Sequence, residues 1–206
     1  MTQEKQKKGR RGARKRRVLW RRLIGMVIAC VLVAGVLGFG VWMLWESRPQ
    51  TTVTTYPVEH ENLIRKYARE NGIEPAYVAA VIMAESSYRT DAVSSVNAQG
   101  LMQLLPSTGE WVAKKLNESY ASGSLFDPET NLRYGCWYLG WLMERYDGSM
   151  KCASSAYHQG QGTVDKWLKN PDYSADGRTL KEIPSDATRS YVERILKYYE
   201  YYDKIY

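Results

Sequence analysis

Residues 23–45 form a run of 23 positions without one Asp, Glu, Lys or Arg. A helix of about 20 apolar residues covers the hydrocarbon core of a bilayer, and it satisfies its backbone polar groups internally. The run therefore predicts a transmembrane helix, with Trp20, Trp42 and Trp45 near its ends, where interfacial aromatics sit. Residues 1–22 hold eleven Lys or Arg and one Glu, leaving eighteen basic against twenty-one acidic residues elsewhere, so the net charge of +7 belongs to one end. By the positive-inside rule the N-terminus lies in the cytoplasm and the chain after Glu46 lies outside. The basic arm is then a topology signal, and no nucleic-acid partner is expected. A cleaved signal peptide fits less well, because the run is long and Trp45-Glu46-Ser47-Arg48-Pro49 offers no Ala-x-Ala-like site. The expected division is a basic cytoplasmic tail (1–22), a transmembrane helix (23–45), a Thr- and Pro-rich tether (46–57) and a globular domain (58–206). The expected location is the cell membrane, single-pass, with the domain outside.

The domain reads as helices separated by turns. Leu63, Ile64, Tyr67 and Ala68 make a 3.6-residue stripe over 61–70, stopped by Asn71-Gly72. Pro75 opens a helix ending at Glu85, and Pro106 opens one through about 116. Asp127-Pro128 is an N-cap followed by Pro at the first helical position, for a helix to about 146. Further helices are expected over 149–156, 164–169 and 186–202. No stretch alternates with period two, so the fold class is mainly α.

Within that frame residues 76–84 (AYVAAVIMA) are apolar on all sides, which predicts a mostly buried helix. Glu85 ends it, and small and polar residues follow. A carboxyl at such an edge is partly desolvated, which raises its pKa and suits it to donate a proton near neutral pH. Fifteen residues on, Gly100-Leu101-Met102-Gln103 brings a flexible apolar side chain and an amide, groups that could line a groove and bind a neutral polar ligand such as a sugar. On the residues alone, a helix ending in an ordinary surface glutamate is the simpler reading.

The pattern Glu85-Ser86, Ala92, Ser94, Ala98, Gly100–Gln103, Pro106 and Thr108 resembles the soluble lytic transglycosylase (SLT) domain, a relative of goose-type lysozyme. Asn131-Leu132, Gly135 and Tyr138-Leu139, then Ala156-Tyr157-His158-Gln159-Gly160, then Ile183-Pro184 through Thr188-Arg189 and Tyr191-Val192, continue the resemblance to about residue 199. It implies a lysozyme-like single domain that acts on peptidoglycan glycan strands, with Glu85 as its one catalytic acid and no cofactor. It implies further that Ser86 and Gln103 position an acetamido sugar, Met102 packs against it, His158 lines the cleft, and Tyr157 and Tyr191 wall it near Glu85. His158 and Gln159 stand where the family usually has Asn and Ala. Ala187 replaces the usual Glu before Thr-Arg, leaving Asp186 as the neighbouring carboxylate that could take over. The membrane anchor points to local wall remodelling, in a possible assembly that crosses the envelope.

Most glycosidases use two carboxylates at a set separation. Here only Asp91 lies near, on a variable loop position. The resemblance therefore implies a substrate-assisted route to a 1,6-anhydro sugar; a hydrolytic muramidase of the same fold, or a non-catalytic wall-binding scaffold, are the alternatives. His60 and His158 form no metal-ligating pattern, and there is no Gly-x-Ser-x-Gly elbow or phosphate loop. Cys30 falls in the apolar run; Cys136 and Cys152 lie outside the membrane, where either a disulfide or two buried thiols would be ordinary.

Overall fold

The computed structural model describes residues 55–206, together with Met26, Gly35, Phe39 and Met43. Among the described residues no helix is long and apolar enough to cross a membrane. The expected tail and span, and the tether up to residue 54, lie outside them apart from those four positions.

Residues 55–206 form one compact unit of seven α-helices: α1 (Glu61–Glu70), α2 (Pro75–Glu85), α3 (Pro106–Lys115), α4 (Pro128–Arg145), α5 (Met150–Gln159), α6 (Gln161–Leu168) and α7 (Asp186–Tyr202). Each start follows from local chemistry. Pro sits in the first turn of α2, α3 and α4, where its missing N–H costs no bond. The side chain of Asp127 accepts from Thr130 N at 2.8 Å to cap α4, and Ser149 and Ser185 cap α5 and α7. Two of the short helices exceed their expected spans: α5 runs on to Gln159 and α6 starts at Gln161, because Gly160, at φ 86°, turns the chain sharply between them. A 3₁₀ turn at Ser124–Phe126 has no periodic signature in the sequence.

α2 is the hub. Its residues from Ala76 to Ile82 are all buried, and it packs against α1 and most extensively against α7. The end of the expected tether belongs to this packing: the Tyr56 ring meets Tyr198 and Tyr201 edge-on at 4.9 Å, and Tyr202 Oη donates to Pro57 O at 2.7 Å. Cys136 and Cys152 are both buried free thiols.

The segment between α2 and α3 folds back on itself through single bridges, Val93 with Gln99 and Gln99 with Leu104. One buried side chain holds it. Asn131, on α4, accepts from Met102 N at 2.8 Å and donates to Gln99 O at 2.9 Å and Leu125 O at 2.8 Å. Gly100, at φ 74°, is required there, since a Cβ would overlap both Leu125 O and the Asn131 amide. Asn131→Ala removes one acceptor and two donors from a fully buried site. At roughly 1 kcal/mol or more for each partner left unpaired, it lowers the unfolding free energy by about 3 kcal/mol, to be read from urea denaturation of the full chain.

Candidate active site

Glu85 closes α2, so the apolar helix delivers its carboxyl to the edge of the core. α7 crosses α2 and brings Tyr191, whose Oη donates to Glu85 Oε1 at 2.6 Å. Burial pushes the Glu85 pKa from 4.5 up to about 7, against the opposing effects of that hydrogen bond and of the Arg194 positive charge. The Tyr191 and Tyr157 phenols are held well above 10, first by burial and then by the Glu85 charge, so both stay protonated donors. Tyr157 donates to Met102 O at 2.8 Å.

His158 is exposed at the end of α5. Its ring stacks on Tyr191 with centroids 4.6 Å apart and 30° between planes, and its Nδ1 lies 3.1 Å from Thr188 Oγ1. Partial burial, then Arg194, lowers its pKa. The Arg194 guanidinium stands 5.9 Å from the Tyr191 ring centre. Glu85, Tyr191 and His158 thus form one cluster, with Tyr157 beside it. Next to Tyr157, whose ring is 5.4 Å from Tyr138, a recess of about 410 Å³ opens over Trp111, Tyr138 and Gln161. A larger recess of about 530 Å³ lies over Glu70, Trp137 and Trp141; neither recess is lined by Glu85, Tyr157 or Tyr191, and the smaller one is joined to them through the Tyr138–Tyr157 ring contact.

Three expected contact residues have a different place. Ser86 is 2% exposed and Met102 is 0% exposed, so neither side chain offers surface to a ligand. Ser86 Oγ donates to Leu101 O at 2.8 Å, and Met102 packs against Gly135, where any Cβ would overlap it. The Gln103 amide nitrogen is spent on Ala92 O and Gly100 O at 3.0 and 2.9 Å. These groups shape the loop beside the acid because its closely spaced backbone carbonyls and amides need partners once buried. Asp186 does not replace the missing Glu, since it is 92% exposed and pairs with Arg189 at 3.0 Å. Asp91 is exposed.

Asn131 and Tyr138 carry more of the site than their motif positions suggested, and Trp111, Thr188 and Arg194 were not singled out. A signal existed for the last two. Thr188, Tyr191 and Arg194 recur every three residues on α7, which places them along one face.

Fold and site together define a class: an all-α domain that ends a buried helix in one protonatable carboxyl beside an aromatic groove. The chain belongs to the Transglycosylase SLT domain family, which matches residues 62–179. Soluble lytic murein transglycosylase of Escherichia coli (strain K12) is 34% identical over 170 residues, covering 77% of this chain and 26% of that protein. Membrane-bound lytic murein transglycosylase C of Yersinia pestis (strain Pestoides F) is 36% identical over 134 residues, 60% of this chain and 37% of the relative. Among solved structures, the 70-kDa soluble lytic transglycosylase of Escherichia coli matches with a TM-score of 0.66 and 30% identity, over 73% of this chain and 25% of that one. An inactive glutamate-to-glutamine mutant of lytic transglycosylase Slt from Pseudomonas aeruginosa matches with a TM-score of 0.65 and 32% identity, over 72% and 24%. The chain spans about a quarter of the length of these soluble relatives.

A carboxyl whose folded pKa is raised binds protons more tightly folded than unfolded, so its burial favours the fold at low pH and opposes it above the folded pKa. Between pH 4.5 and about 7 the Glu85 contribution declines. Glu85→Gln is therefore more stable than the native chain above pH 7, by about 2–3 kcal/mol, and the difference fades toward pH 4. Denaturant melts of both chains across that range check it.

Proposed function

We propose that the chain is a membrane-anchored peptidoglycan lytic transglycosylase that cleaves the bond between N-acetylmuramic acid and N-acetylglucosamine with Glu85 as its single catalytic acid. One observation carries this reading: a carboxyl at the core edge, held near pKa 7 and bonded on one oxygen by Tyr191. Tyr191 occupies Oε1, so the acidic proton sits on Oε2. Glu85 gives this proton to the glycosidic oxygen as the C1–O bond breaks, while the carbonyl oxygen of the sugar's own acetamido group bonds to C1 from the other face. The carboxylate then takes the proton of the C6 hydroxyl. The C6 oxygen bonds to C1, the acetamido oxygen leaves, and a 1,6-anhydro sugar forms without consuming water. Tyr191 donates throughout, weakly to the acid and strongly to the carboxylate, so it supports the charged state between the two steps. Family membership and the named activities of the relatives support this chemistry, as does the inactivity of the glutamate-to-glutamine mutant of a related enzyme.

Tyr157 and His158 wall the sugar nearest the acid, Tyr191 lies buried behind them on Glu85 rather than on the expected cleft wall, and the recess at Trp111 and Tyr138 receives the strand beyond. Ser86, Met102 and Gln103 act by shaping the loop under it. The apolar run over 23–45 anchors the domain outside the cytoplasmic membrane, with wall glycan strands as its partner. Relatives named as membrane-bound accord with an enzyme of this kind working at a membrane. The topology suits local opening of the wall for an envelope-spanning assembly.

Mass spectrometry of the products released by the full chain from peptidoglycan tests the reaction. Muropeptides one water lighter than hydrolytic products are expected. Glu85→Gln is expected to lose at least about 100-fold in release, and native activity to fall as pH rises through about 7 and the acid loses its proton. Reducing-end products would mean a hydrolase, and no release by the folded chain a wall-binding protein. For the anchor, the full chain is expected in the membrane fraction after carbonate washing, and a chain lacking residues 1–45 in the soluble fraction.

A further inference from the structure

At residues 158, 159 and 187 the chain departs from the pattern it otherwise follows, and the structure joins the first two at one hydroxyl. Thr188 Oγ1 lies 3.1 Å from each of three groups: His158 Nδ1, Gln159 Oε1 and Ser185 Oγ. Thr188 is fully buried and has one proton to give. Gln159 Oε1 can only accept, so it takes that proton. Ser185 Oγ is the hydroxyl's other acceptor, and with the hydroxyl proton so directed a lone pair of Thr188 Oγ1 is left to receive the His158 Nδ1–H. This assignment makes the imidazole its Nδ1–H tautomer. It also fixes the ring's orientation, and the ring lies stacked on Tyr191.

We propose that His158 is a positioning residue: held by Thr188, which also meets Gln159 and Ser185, it keeps the Tyr191 ring in place for its hydrogen bond to Glu85. The proposal rests on the reading of Glu85 as the acid. The Thr188 contacts tie the C-terminal end of α5 to the first turn of α7, and Tyr191 is the next residue along that face of α7. Tyr191, on which His158 stacks, is only 2% exposed. The charged and titratable groups around the pair are Arg194 and Tyr191 on α7, Glu85 on α2 and Tyr157 on α5. Burial, and then the Arg194 charge, lowers the His158 pKa and so disfavours its charged form. Replacing it removes the partner that the Tyr191 ring stacks on.

The test is the titration midpoint of Glu85, read by carbon-13 NMR on the full chain in micelles with labelled glutamate, the signal being assigned by its absence in Glu85→Gln. Tyr191→Phe deletes the bond that holds the midpoint down, and is expected to move it up by about one unit. His158→Ala is expected to move it in the same direction. His158→Phe keeps the ring without the Nδ1–H, and is expected to fall between native and His158→Ala. Native midpoints in both His158 variants, or midpoints moved down, would overturn the proposal, as would an unmoved midpoint in Tyr191→Phe. The measurement needs no substrate, so it stands apart from the product assay: loss of the glycan chemistry would show there while the midpoints still report on His158.

Discussion

The amide of Asn131 is the interaction on which the rest of the site depends. Its three short bonds join α4, the 3₁₀ turn and the folded-back segment after α2. That segment has too few residues in regular structure to satisfy its own backbone, and burial would be costly without an outside partner. Gly100 and Gly135 exist on either side of this arrangement for related reasons. The first admits the Asn131 amide at a positive φ, and the second admits Met102 beside α4. The Gly-Leu-Met-Gln stretch and the Asn-Leu-x-x-Gly helix, which look like separate motifs along the chain, are two halves of one packed junction.

What that junction secures is a costly feature elsewhere. A carboxyl moved partly out of water loses hydration that one phenol and a distant guanidinium only partly restore, and its pKa of about 7 measures the shortfall. The fold would be more stable above neutral pH with an amide in its place. A chain that keeps the acid there spends stability on a protonation equilibrium poised where it can run in both directions, as an acid and then a base must.

Much of this was legible in the sequence, for identifiable reasons. α2 was legible because a helix apolar on every side can only be buried, and its terminal glutamate had to sit at the core's edge. α1 was legible from an apolar stripe with an Asn-Gly stop, and α4 from an Asp-Pro start. Ser86 and Met102 are buried rather than open to a ligand, since a motif records which residues a site requires and not whether they face the ligand or the backbone behind it. Burial decides that, and burial belongs to tertiary packing. The end of the tether failed for the same reason: Tyr56 has no periodic neighbours and is fixed only by tyrosines about 140 residues later.

The absence of a carboxylate at residue 187 shows how such a site tolerates change. Asp186 lies in the first turn of α7, faces solvent and pairs with Arg189, so it adds a favourable charge at the helix start without reaching the groove. The junction of α5 and α7 is instead closed by neutral groups around Thr188. A hydroxyl network carries no net charge, so the pKa of Glu85 is left to three influences: burial, Tyr191 and Arg194. Of the two that hold it down, Tyr191 keeps its geometry only while something covers its ring, and the residue in that position is the histidine that the same hydroxyl orients.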